Sequence, residues 1–199
     1  MGVPKLKGRI SVHEYLDGEL HSPIKHEYFA GEVYAMAGAS DRHYRISFNL
    51  AKLLDDHTRN KNCEAFSLDM KLRVSPDTFY YPDVFVTCDE VAESEFFREK
   101  PVLVIEVVSP STRQIDRREK LNAYQKLPSV QEYMVVEQDK MHLELHRRQP
   151  NGSWITYFYD NSDRDVEIQF TSVGLTTNLE LIYDRVQFPS RPDRLPDEA

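Results

Sequence analysis

The chain is short of cysteine, of long apolar runs and of positive charge. Its only two cysteines, Cys63 and Cys88, are too few and too far apart for a CxxC metal or redox pair, so two reduced, structural thiols are expected. No apolar run approaches the ~20 residues that span a bilayer. The N-terminal stretch MGVPKLKGRISVHEYL lacks the apolar core of a signal peptide, so a cytoplasmic location is the default expectation. Lysine and arginine total 25 against 33 acids, a formal net charge of −8. That balance argues against a protein that coats nucleic acid non-specifically. It still admits an enzyme with a local basic surface around an acidic metal site. Internal repeats and linkers are also missing.

What is present suits an ordinary globular protein. With 199 residues, 40% of them apolar and 29% charged, one domain over 1–199 with a proper core is expected. Ser11 followed by Glu14 fits a capping box, which predicts a short first helix. KHEYFAGEVYAMAG reads as two strands joined near Ala30-Gly31. ASDRHYRISFNLAKLLDDHT reads as a helix capped by Ser40 or Asp41, with Ile46, Leu50, Leu53 and Leu54 as its apolar stripe. From Cys63 the period moves toward 2. CEAFSLDMKLRV is one bent strand or two, and YYPDVFVTC is a strand with Pro82 near its start, where a missing donor is tolerated. CDEVAESEFFRE carries five acids and one arginine and reads as a solvated loop. PVLVIEVVS is apolar on both faces, as in a central strand. TRQIDRREKLNAYQKL is a helix ended by Pro128. QEYMVVEQ, MHLELHRR, SWITYFYD and DVEIQF follow as strands, with Trp154 in the core. LELIYDRV is a short helix, and the Pro-rich end, 189–199, is a frayed tail. The mixed order predicts an α/β (or α+β) fold, a central mixed sheet flanked by helices with antiparallel C-terminal strands.

Two carboxylates interrupt apolar strands. Asp83 follows Pro82, and Glu106 sits inside VLVIEVVS, 23 residues later. An unpaired ionised carboxylate is costly to bury, and two neighbouring acids repel each other. A divalent cation between them resolves both problems, and Mg²⁺ accepts a few carboxylate oxygens plus waters. Against this, Asp83 alone reads as an Asx turn or cap, and Glu106 as half of an ion pair with a helix arginine. The following helix puts Arg113, Arg117 and Lys120 at i, i+4 and i+7, on one face. Asp116, Lys120 and Tyr124 form an overlapping strip. This is either a solvated face with Asp116 paired to Lys120, or a surface that sets Lys120 over the carboxylates to stabilise charge or activate water.

These residues carry a resemblance. YPDVFV, the strand end EVVSPST, the D-R-x-x-K helix and the EY strand, in that order, resemble the Uma-two family within the PD-(D/E)XK restriction-endonuclease-like superfamily. The similarity extends through KHEYFAGEVYAMAGASDRHYRI and GSWITYFYD. It implies that Asp83 and Glu106 are metal ligands, with the Val107 backbone carbonyl as a third. The superfamily's usual lysine, two positions after the second acid, is replaced by Val108. Lys120 is then the candidate lysine, moved to the helix. Glu27 in HEYFAG and His43 in SDRHYRI match the family's motifs. Read without the family, Glu27 is an exposed strand residue and His43 a helix residue hydrogen-bonded to the core. Tyr124 supports Lys120 or packs as a core aromatic, packing being the commoner role.

The resemblance implies a Mg²⁺-dependent (or Mn²⁺-dependent) DNA endonuclease that leaves a 5′-phosphate. A homodimer is expected, because duplex cleavage needs two cuts. The alternative is a catalytically silent nuclease-like module that binds DNA or protein. The acidic charge and Val108 favour that alternative. The joint presence of Asp83, Glu106 and Lys120 favours the enzyme.

Overall fold

The computed structural model of the protein describes residues 9–36, 38–67, 69–88, 91–92, 94–109 and 116–188, and only the backbone of residues 116 and 117. Arg113 and the expected tail from residue 189 therefore lie outside the described residues, as do the side chains of Asp116 and Arg117. The first helix, α1 (Val12–His21), begins at a capping box: the Glu14 amide donates to Ser11 Oγ, and the Glu14 carboxylate accepts from the Ser11 amide. Strands β1 (His26–Phe29) and β2 (Glu32–Ala35) form a hairpin. Its two turn residues, Ala30 (φ 48°) and Gly31 (φ 90°), both sit at positive φ, which matches the twist of the paired strands. Helix α2 (Asp41–Thr58) is capped by Ser40 and buries Ile46, Leu50 and Leu54 on one stripe.

The segment 63–75 makes two strands, β3 (Cys63–Ser67) and β4 (Lys71–Ser75), which join different sheets. Next come β5 (Thr78–Tyr80), β6 (Val84–Cys88), a two-residue β7 (Phe97–Arg98) within the acidic loop, and β8 (Pro101–Val108). A π-helical turn, Asp116–Lys120, runs into an α-helix, Leu121–Lys126. Strands β9 (Glu132–Glu137), β10 (His142–Arg148) and β11 (Trp154–Asp160) then pair in sequence, followed by a small hairpin, β12 (Ile168–Phe170) and β13 (Leu175–Thr177), and a helical turn, Leu179–Ile182.

The central sheet is mixed and six-stranded, in the order β11-β10-β9-β8-β6-β3, with β8 and β9 parallel. A second, five-stranded sheet runs β2-β1-β5-β4-β7; the apolar pattern did not separate it from the first. One face of the central sheet packs Val84, Leu103, Ile105 and Val107 with Ile46, Leu50 and Leu54 of α2. The other packs Phe85, Val104, Val108 and Tyr133 with Leu72 and Tyr80 of the second sheet and with Tyr124. Helix α1 covers the far side of the second sheet, stacking Tyr15 on Tyr28 at 4.8 Å. One of the chain's crossings from the second sheet to the central one takes only three residues, Tyr81-Pro82-Asp83. Trp154 is half-buried, with Arg148 4.6 Å above its ring. Among the described residues, no helix is long and apolar enough to cross a membrane.

The expectation of reduced thiols is corrected. Cys63 and Cys88 oppose each other in the β3–β6 ladder, their Cα atoms are 3.9 Å apart, and they form a disulfide. Their separation in sequence hid a cross-strand adjacency that only the antiparallel pairing creates.

Candidate active site

The site grows from the alternation of β8. Leu103, Ile105 and Val107 face α2, so Val104, Glu106 and Val108 face the second sheet and Tyr124. Period 2 thus drives Glu106 into an apolar layer, where it is 4% exposed. Its charge is met by two donors from one helical face. Lys120 Nζ lies 3.1 Å from Glu106 Oε1, and the Tyr124 hydroxyl donates to the same oxygen at 2.9 Å. Lys120 and Tyr124 are one turn apart, so a single helix delivers both. Lys120 closes the π-helical turn, a wider turn that recurs at functional sites. Tyr124 is both a core aromatic and a donor to Glu106; burial, and then the Glu106 charge, push its hydroxyl well above the ordinary tyrosine range.

Lys120 has a second carboxylate, Glu27 Oε1 on β1, at 2.8 Å. Beneath it lies the Tyr80 ring, 5.3 Å from Nζ. The ammonium is therefore enclosed by two carboxylates and an aromatic face, and Lys120 is 6% exposed. Burial and Glu27 raise the Tyr80 hydroxyl to about 12. The Tyr81 amide reaches Glu27 Oε1 at 3.4 Å. Glu27 is thus tied to Lys120 rather than left on an open strand.

Asp83 stands just before β6. It is one residue short of Val84, which pairs with Ile105 and opens the ladder between β6 and β8. Its Oδ2 accepts from the Val107 amide at 2.7 Å, and its Oδ1 lies 2.6 Å from His43 Nε2. His43 is carried by the first turn of α2, which is fastened to the end of β9. Ser40 Oγ donates to Gln138 at 2.7 Å, and Arg42 pairs with Asp139 at 2.9 Å. Nothing local in the sequence around Gln138 and Asp139 signals this fastening.

Beside the site lies a second buried polar group that the sequence did not single out. The Tyr81 hydroxyl donates to Glu19 Oε1 at 3.0 Å and receives Lys71 Nζ at 3.3 Å; Glu19 in turn holds His26. Burial lowers the Lys71 ammonium below its usual range. Lys71 is thus placed on Tyr81, while Lys120 is the lysine on Glu106. No sequence signal marks this group, because its members come from α1, β1, β4 and the 81–83 connection.

A mixed sheet flanked by helices thus holds Glu106 within its central strand β8, with a lysine from the next helix on that carboxylate and Asp83 on the following amide. Comparison with known proteins gives this arrangement a family. Residues 12–180 match the Uma2 family, described as "Putative restriction endonuclease", and the chain belongs to that family. It is 36% identical over 182 residues to the Synechocystis sp. protein slr1290, covering 90% of this chain and 94% of that one. A second Synechocystis sp. protein, sll1609, is 29% identical over 168 residues, covering 82% and 95%. Both relatives are named as uncharacterized proteins. Among solved structures, a nuclease of the DUF820 group from Anabaena variabilis, described as putative, has a similar fold. The TM-score is 0.68 at 18% identity, over 85% of this chain and 97% of that one.

Proposed function

We propose that the protein is a divalent-metal-dependent endonuclease that hydrolyses phosphodiester bonds in DNA. The observation that carries this reading is the Lys120 ammonium, almost wholly buried between Glu27 and Glu106, with Asp83 held on the amide of Val107, the residue after Glu106. A lysine kept dry and aimed by carboxylates is worth more to a developing phosphoryl charge than one in water.

The donor set fits Mg²⁺ or Mn²⁺ in kind. Asp83, Glu106 and the Val107 carbonyl are hard oxygen donors, and Mg²⁺ is commonly held by one or two carboxylates with waters completing its shell. Among the described residues, no group of three or more His, Cys, Asp or Glu side chains is arranged to hold an ion; waters would complete the shell. When bound, the ion supplies Lewis acidity and lowers the pKa of its water. The remaining work falls to the chain. Lys120 places positive charge at the phosphoryl oxygens, or holds the attacking water. Glu27 and the Tyr80 ring keep that ammonium aimed. Tyr124 orients Glu106, and His43 with the Val107 amide orients Asp83.

Plasmid nicking tests the proposal. With Mg²⁺ or Mn²⁺, the wild-type protein converts supercoiled DNA to nicked circles and Asp83→Ala does not. A wild-type protein that binds DNA yet nicks nothing with either ion would overturn the enzyme. It would favour a nuclease-like binding module, a reading supported by Val108 at the usual lysine position.

A further inference from the structure

The second sheet extends the site sideways. In the β1–β2 hairpin Glu27 pairs with Tyr34. Tyr28 pairs with Phe79 in β5, so the next rung sets Glu27 opposite Tyr80, and Tyr80 pairs in turn with Leu72. Side chains on paired rungs share a face. Tyr34, Glu27, Tyr80 and Leu72 therefore form one row across four strands. Lys120 confirms the shared face by touching both Glu27 and Tyr80.

The two ends of the row differ. Leu72 is buried, whereas Tyr34 stands on the edge strand and is 38% exposed. Phe29, on the same face two rungs from Tyr34, is 52% exposed. The opposite face of the hairpin, Tyr28 and Val33, is buried against α1. The Tyr34 hydroxyl is bonded to Glu32, and it is raised by that bond and further by Glu119, the neighbour of Lys120. An aromatic ring thus stands open beside the carboxylate that holds the candidate catalytic lysine.

We propose that Tyr34 is a substrate-contacting residue that stacks an unpaired nucleobase next to the scissile phosphate, so that the site takes single-stranded or frayed DNA in preference to intact duplex. The proposal rests on the nuclease reading and names its substrate. A phosphate seated at Lys120 leaves its nucleoside to lie along the row, over Tyr34. The rim there is acidic, with Glu27, Glu32 and Glu119, and the whole chain carries −8. Attraction for phosphate is weak on such a surface, and stacking supplies the affinity instead. Every base has a π-face, so the contact is indifferent to sequence. In a duplex that face is covered by the neighbouring base pair, and only an unstacked nucleotide can offer it.

The test uses fluorescence anisotropy of the full chain in Mg²⁺, with a labelled single strand and a duplex of the same sequence, alongside the nicking assay. Wild type is expected to bind and cut the single strand better than the duplex. Tyr34→Phe keeps the ring and should behave as wild type. Tyr34→Ala should weaken single-strand binding roughly 10- to 100-fold, leave duplex binding unchanged and lower Tm by only about 2–4 °C, since the residue lies on an edge strand and packs on no core. Single-strand binding by Tyr34→Ala within about twofold of wild type, or a wild-type preference for duplex or for a ribo-oligonucleotide, overturns the inference. If in those cases cleavage still depends on Asp83, the nuclease reading survives alone. A wild-type protein that neither binds nor cuts either DNA sinks both.

Discussion

Replacing Lys120 with methionine separates the fold's need for a positive charge from the chemistry's need for one. Methionine keeps the length of the stem and removes the ammonium. The side chains of Glu106 and Lys120 are 5% and 8% exposed, and that of Glu27 is 19% exposed. Removing one partner of a pair so deeply buried costs about 3–5 kcal/mol, because the attraction that offset its desolvation is lost. The Tyr124 hydroxyl still donates to Glu106, which favours the lower end of that range. With an m-value of about 2 kcal/mol/M, urea midpoints in EDTA should fall by roughly 1.5–2 M. A divalent cation held by Asp83 and Glu106 would replace the lost charge. Saturating Mg²⁺ or Mn²⁺ should therefore stabilise Lys120→Met more than wild type; at a hundredfold excess over its own Kd the variant gains about 2.7 kcal/mol. Adding Glu106→Gln should abolish that difference, while cleavage by Lys120→Met should stay at least about a hundredfold below wild type even in metal. A loss under about 1 kcal/mol in EDTA, or an equal metal response in wild type and Lys120→Met, would refute the reasoning.

Tyr124→Phe keeps the buried ring and deletes one donor to a charged oxygen; stability should fall by about 1.5–3 kcal/mol in urea melts. Alkaline unfolding should be steep, because burial raises Tyr15, Tyr81, Tyr124 and Tyr183, and also Tyr80 to about 12. Protonated tyrosine is the form the fold prefers. That stability is therefore complete below the unfolded value near 10 and is lost as pH rises through the folded values, at up to about 1.4 kcal/mol per pH unit for each tyrosine. Absorbance at 295 nm should show these groups ionising together with unfolding, and a gradual titration at ordinary values would contradict it. Replacing Cys63 and Cys88 with alanine opens a loop of sequence separation 25 and should cost about 3.5 kcal/mol in the chain-entropy account. Reductant should lower the Tm of wild type toward that of the double variant and leave the variant unmoved.

The elements with strong local signals were legible. Ser11 and Glu14 announced α1, Ala30-Gly31 announced the hairpin, and the stripe of Ile46, Leu50 and Leu54 announced α2. Asp83, Glu106 and Lys120 stood out because a charge in an apolar strand and a basic helix face are each improbable without a partner. That signal has a limit, which Glu132 shows. It too is a fully buried carboxylate in an apolar strand, yet Arg147, Thr171 and Ser172 hold it, tying the β12–β13 hairpin region to the central sheet. Only the partners tell the two cases apart, and partners are set by long-range pairing. The same reason hid the disulfide, the second sheet, and the grip of Gln138 and Asp139 on α2. Tyr80 and Tyr81 read as ordinary strand aromatics, because nothing local says which cation a ring will meet.

The three residues Tyr81-Pro82-Asp83 are also a mechanical seam. One sheet ends at Tyr80 and the other begins at Val84, so the connection has almost no slack, and Pro82 stiffens it further. Lys120 crosses the same seam as a rivet, with Glu27 on one plate and Glu106 on the other. Any force that slides one sheet against the other must stretch that rivet and tug on Asp83 in the same movement. One load path between the sheets therefore runs through the candidate reaction centre, and a ligand that pulls Lys120 away from either carboxylate loosens this joint.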